Sequence, residues 1–231
     1  MNQFDMDYPG SRERAIPLQN TLIRQVYAWM GVGLLVTALA AFLTVSTPAL
    51  VNGVLGNRLV FYGLMLGELG LVIGLTAAIT RLSAAAATLM FITYSALNGV
   101  TLSVIFLVYT ADSISSTFLV TAGMFGAMSG YGFITRRDLT SWGSFLFMGL
   151  IGVVIASIVN IFMGSDSLSW IVSGVGVIVF TGLTAYDTWK IKALAAGGAE
   201  GRKPAILGAL TLYLDFINLF LMLLRLFGRR R

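Results

Sequence analysis

The sequence contains no cysteine and no histidine. The first absence excludes disulfides, thiolate metal centres and cysteine nucleophiles. The second excludes Ser–His catalysis, His-ligated metals and haem, and the usual pH sensor near neutrality. Charge is also scarce: 15 Lys+Arg and 10 Asp+Glu make up 11% of 231 residues, against about 25% in a soluble domain. A chain so poor in charge cannot cover a water-facing surface, so secreted scaffolds, disordered tails and nucleic-acid-binding domains are excluded. No nucleotide-binding motif is present, and no cofactor is expected. The net charge of +5 suits an anionic membrane surface better than a nucleic acid.

What the sequence has in quantity is apolar: 57% hydrophobic residues and 26 Gly. A transmembrane helix needs about 20 mostly apolar residues. Seven stretches qualify: 26–45, 59–80, 84–109, 117–134, 144–164, 168–189 and 205–227. Turn or charge signals close them, such as Ser46-Thr47-Pro48, Thr135-Arg136-Arg137-Asp138 and Ser165-Asp166-Ser167. Trp29, Trp142, Trp170 and Trp189 lie near span ends, where amphipathic rings settle at the interface. The expected fold is an all-α integral membrane protein in a lipid bilayer. Residues 1–25 form a short cytoplasmic tail rather than a cleaved leader, and 26–231 form a single seven-helix domain.

Loop Lys and Arg set the orientation. With seven crossings, the side of the N-terminal tail holds ten of them and the opposite side five, including Arg225, Arg229, Arg230 and Arg231. The N-terminus is therefore expected in the cytoplasm. The terminal Arg-Arg-Arg runs against the rule, and a re-entrant last span would remove the conflict. Twenty-three residues interrupted only by Asp215 and Arg225 favour a full crossing. Small residues recur along the spans: Gly63, Gly67, Gly70 and Gly74 on the second, Gly123, Gly126 and Gly130 on the fourth, Gly174 and Gly176 on the sixth. Close helix packing is the expected use.

Charge at membrane depth costs about 2.5–3.5 kcal/mol per residue on insertion scales. Four charged residues fall inside the spans: Glu68, Asp187, Asp215 and Arg225. Asp215 sits in the middle of the last span, on a stripe with Gly208, Thr211, Asn218, Met222 and Arg225. That stripe is either a hydrogen-bonding seam or part of a proton or ion site. Asp187 closes the sixth span and is either an interfacial carboxylate capped by Lys190 at i+3 or a partner for Asp215 across the hairpin. Their depths differ by about two turns, a gap that tilt or a longer sixth helix would close. Two adjacent carboxylates at low dielectric share a proton, which gives a His-free chain a route to pH sensing. Arg81, at the end of the second span, is the nearest candidate cation for bridging them. It is equally a simple marker of the cytoplasmic face. Glu68 and Asn218 are candidates for an ion pathway, although Asn98, Asn160 and Asn218 are more often hydrogen bonds between helices.

The last span, ALTLYLDFINLFLMLLRLFG, resembles the C-terminal signature of the Bax inhibitor family, also called the transmembrane Bax inhibitor motif family. An Asp closing the sixth span in LTAYDTWKIK, Glu68 followed by Arg81, and seven spans behind a short tail agree with it. The resemblance runs from about residue 20 to the end, and the basic ending GRRR departs from the family's pattern. It implies a C-terminal helix wrapped by the other six. It also implies a pH-sensitive calcium leak of the bacterial inner membrane, gated by Asp187 and Asp215 with Arg81. Weak calcium coordination by the two Asp would suit passage rather than storage.

Some relatives are instead partners of a membrane AAA protease, and an interaction of that kind would use residues 1–24. The intramembrane aspartyl protease is a third reading, because Tyr186-Asp187 matches one half of such a site. Its second site requires Gly-x-Gly-Asp, where this chain has Leu212-Tyr213-Leu214-Asp215. A non-enzyme is expected.

Overall fold

The computed structural model describes the backbone of residues 9–231 and the side chains from residue 21 onward. Seven long helices follow one another: α1 (Pro9–Ser46), α2 (Arg58–Ala78), α3 (Ala84–Leu102, prolonged by Val104–Val108), α4 (Ala111–Ile134), α5 (Thr140–Met163), α6 (Asp166–Ala196) and α7 (Arg202–Phe227). Each contains a segment long and apolar enough to cross a bilayer. Residues 9–25, expected as a tail, extend α1 backward, and residues 1–8 lie outside the described ones.

Short capped turns punctuate the chain. The side chains of Asn57, Ser83, Thr110 and Ser165 accept hydrogen bonds from the first backbone N–H groups of α2, α3, α4 and α6, which have no partner inside their own helix. Gly164, at φ 61°, ends α5 in the left-handed conformation that favours glycine. Two lysines satisfy the opposite kind of orphan. Lys192 Nζ donates to the carbonyls of Phe133 and Thr135 at the end of α4, at 2.7 and 2.9 Å. Lys203 Nζ donates to those of Thr80 and Leu82 past the end of α2, at 3.0 and 3.1 Å. A cation is favourable at helix C-termini, so these two lysines, on either side of the α6–α7 turn, hold helices together.

α7 is the centre. Of its apolar window 72% is buried, against 6% for α2 and 11% for α5. α1, α3, α4 and α6 pack directly on it, α2 packs on α3, and α5 packs on α6. Between α2 and α5 one face of α7 stays half-covered: Leu207, Thr211, Leu214, Asn218 and Leu221 are partly buried, and Arg225 is exposed. The main core gathers Tyr213, Leu212 and Ile206 from α7 against Phe91, Leu75 and Val26.

The last residues do not double back. Tyr109 and Arg230 form an antiparallel bridge. Thr110 N donates to Arg229 O and Arg231 N to Val108 O, both at 3.0 Å, and Arg229 N donates to Ser113 Oγ at 2.9 Å. The C-terminus is thus pinned beside the α3–α4 turn, at the end opposite the α6–α7 turn. α7 traverses the bundle, and the re-entrant alternative is set aside.

The glycine stripes need a correction. A Cβ at Gly63, Gly67, Gly70, Gly123, Gly126, Gly130 or Gly174 would meet nothing within 4 Å. Close approaches occur elsewhere. A Cβ on Gly99 would run into the Thr37 carbonyl of α1, and one on Gly132 into the Ala185 carbonyl of α6. Of the glycines expected to pack, Gly176 meets Met222 at 2.9 Å, and Gly74 touches only Met90, at 3.5 Å.

Candidate functional site

α6 is 31 residues long and runs seven residues past its expected end. Those two further turns place Asp187 inside the helix, at the depth of Asp215, and so remove the mismatch. The two carboxyl groups lie within hydrogen-bonding contact of one another. Asp215 is only 4% exposed, and among the described residues no donor reaches its Oδ2. Two carboxyl oxygens in such contact require a proton between them or a cation beside them.

The pair lies on the wall of a cavity of about 470 Å³ between α5, α6 and α7. Thr211 and Asn218 line it on one side, Tyr186 and Lys190 on another. Lys190 is the ammonium that acts on Asp187, and its Nζ stands 6.0 Å from the centre of the Tyr186 ring. Gly143 leaves room for that ring, since a Cβ there would occupy it.

Arg81 does not join this group. It is exposed in the turn after α2 and lies outside the cavity lining. α2 is separated from α6 by α3 and α1, which pack in sequence between them. Ending at the same face brings the two helices to one level without making them neighbours.

Glu68 occupies a second site. Asn98 Nδ2 donates to its Oε2 at 3.1 Å and Thr101 Oγ1 to its Oε1 at 2.9 Å. Asn98 Oδ1 accepts from the Tyr213 hydroxyl at 3.0 Å, and that hydroxyl lies 2.6 Å from Thr37 Oγ1. A continuous polar chain therefore links α2, α3, α7 and α1. Glu68 and Asn98 also line a second cavity, of about 570 Å³, with Thr101, Tyr109 and Arg225. Of the three asparagines, Asn98 alone bridges helices. Asn160 Oδ1 accepts from Ser165 N at the end of α5, and Asn218 Nδ2 donates to Leu214 O within α7. Thr37, Thr101 and Tyr213 escaped the sequence reading. Polar residues in mid-span were the only signal for them.

A seven-helix membrane bundle with two buried carboxylate sites against its central helix defines the class of protein. Residues 19–231 match the family model described as inhibitor of apoptosis-promoting Bax1. The chain is 56% identical over 216 residues to the inner membrane protein YbhL of Escherichia coli K12, covering 91% of this chain and 92% of that one. It is 44% identical to a protein of Borreliella burgdorferi, over 95% of this chain and 96% of that one. It is 39% identical to a membrane protein of Streptococcus pyogenes serotype M1, over 91% and 93%. The chain belongs to the Bax inhibitor family.

Proposed function

We propose that this protein is a pH-sensitive cation leak, with calcium as its cargo, in a bacterial inner membrane with the N-terminus in the cytoplasm. The observation that carries the reading is the contact between the carboxyl groups of Asp187 and Asp215 on a cavity wall. With a proton between them the pair is compact. With the proton gone, two unit charges about 4 Å apart repel by about 4 kcal/mol at an effective dielectric of 20, enough to separate the side chains or to draw in a divalent ion. Calcium takes about six to eight oxygens. Two carboxylates with the oxygens of Thr211, Asn218 and water hold it weakly, as passage demands. Among the described residues no three acidic groups converge on a stronger site. Conduction rather than catalysis is the role this supports.

The test is calcium flux into proteoliposomes from about pH 5 to pH 8, bracketing neutrality, for the wild type, Asp187→Asn, Asp215→Asn and the double variant. Each single variant should flatten the pH response, because an amide keeps the contact without the exchangeable proton. The wild-type inflection persisting in the double variant would defeat the paired gate. Cleavage of a membrane peptide that is lost in Asp215→Ala would replace conduction by hydrolysis.

A further inference from the structure

The two cavities are lined by different helices, α5, α6 and α7 for one and α2, α3 and α7 for the other, and they share one residue, Leu214. The first reaches Lys190 and Gly143, toward the end that carries the α6–α7 turn. The second reaches Tyr109 and Arg225, toward the end that carries the C-terminus. Each therefore occupies one half of the bundle. Along α7 they overlap by one turn, since Asn218 belongs to the first and Leu214 to both. At that level Leu214 lines both. It lies midway along α7, at the depth where an ion is most expensive to hold.

We propose that Leu214 is the hydrophobic barrier between two half-channels, one carrying Glu68 and the other the Asp187–Asp215 pair, and that a cation crosses along the half-covered face of α7. The proposal rests on the leak reading and gives it a route. An isobutyl group between two wet chambers blocks ions by excluding water, which is how apolar constrictions gate. Leu214 is half-buried, unlike its neighbours Leu212 and Tyr213, which have no exposure. With a cavity on either side, it can swing without displacing the core. Glu68 is held by Asn98 and Thr101, so its carboxyl group is fixed in position on the approach from the second cavity. The competing explanation is that Leu214 is simply packed and that both cavities are lipid-filled grooves.

The experiment uses the full chain in proteoliposomes. Leu214→Ala should raise the initial calcium flux several-fold, and Leu214→Phe should lower it below wild type. Leu207→Ala is the control: the same residue type on the same half-covered face, lining neither cavity, and it should leave flux unchanged. Wild-type flux that ignores the size of residue 214, or that rises equally in Leu207→Ala, overturns the barrier and leaves the leak standing. Absence of flux in wild type and Leu214→Ala alike defeats the leak and the barrier together. A second readout covers variants that fold poorly. The chain has no Cys, so single Asn218→Cys and Leu221→Cys variants carry one thiol each. In sealed vesicles a charged thiol reagent should reach residue 218 from the side of the α6–α7 turn and residue 221 from the opposite side. Labelling of both from one side, or of neither, overturns the two half-channels.

Discussion

Tyr213 and Asp215, two residues apart on α7, bond into opposite walls of the bundle. The Tyr213 hydroxyl meets Asn98 and Thr37 from α3 and α1, and the Asp215 carboxyl meets Asp187 of α6. Two residues turn a helix by about 200°, so one short stretch serves two polar sites. Each site can then be altered without touching the other.

Tyr213→Phe tests that separation. It leaves the buried Asn98 Oδ1 without its Tyr213 donor, at a cost of about 1–3 kcal/mol, while Thr37 Oγ1 keeps the carbonyls of Gly33 and Ser95. Thermal unfolding in detergent should show a lower Tm, while the pH dependence of flux stays as in wild type. Adding Asn98→Leu should cost less than it does alone, because the two changes remove members of one network. An unaltered Tm in Tyr213→Phe would mean that the network contributes nothing to stability.

Gly132 and Gly130 offer a sharper contrast on α4. Gly132→Ala drives a methyl into the Ala185 backbone carbonyl of α6, which cannot swing aside as a side chain can. Overpacking of this kind costs about 1–3 kcal/mol. Gly130→Ala meets nothing within 4 Å and gains the helix propensity of Ala, about 1 kcal/mol. Unfolding midpoints should therefore move in opposite directions. A loss of stability at both positions would show that the outer stripe of α4 is covered by something beyond this chain.

The spans were legible because apolar length needs no tertiary information. Their ends were less so. The fourth was expected at 117–134 and begins at Ala111, because Thr110 caps the first turn and Ser116 returns its hydroxyl to the Asp112 carbonyl of the same helix, which lets polar residues extend it. The carboxylate pair was legible from scarcity, with few acids inside the spans and two of them on consecutive helices. The position of Arg81 and the function of the glycines were not. Both depend on which helix lies beside which, and periodicity gives a face without saying what that face meets.

Orientation of the last helix is checked by reporters. A tag after residue 231 and one inserted near residue 199 should read opposite sides of the membrane, since α7 runs between them and the C-terminus pairs with the α3–α4 turn. A reporter at residue 112 should agree with the C-terminal one. Readings on the same side at 199 and 231 would contradict the traverse.

The last expectation concerns the ribbon itself. The pairing of residues 229–231 with 108–110 uses backbone groups, with Ser113 Oγ as the one side chain involved. Replacing Arg229, Arg230 and Arg231 by Gln should therefore leave the ribbon and the Tm in place, whatever it does to lipid contacts. Deleting residues 229–231 removes all three hydrogen bonds, each with a net value of about 0.5–1.5 kcal/mol, and frees the end of α7 beside Tyr109 and Arg225. The truncated protein should unfold at a lower temperature than either full-length form. Tyr109 and Arg225 line the second cavity, so truncation should also speed reaction of a thiol at residue 221 with a charged reagent. A truncated protein as stable and as slowly labelled as the Gln variant would show that the ribbon neither fastens α7 nor narrows that cavity.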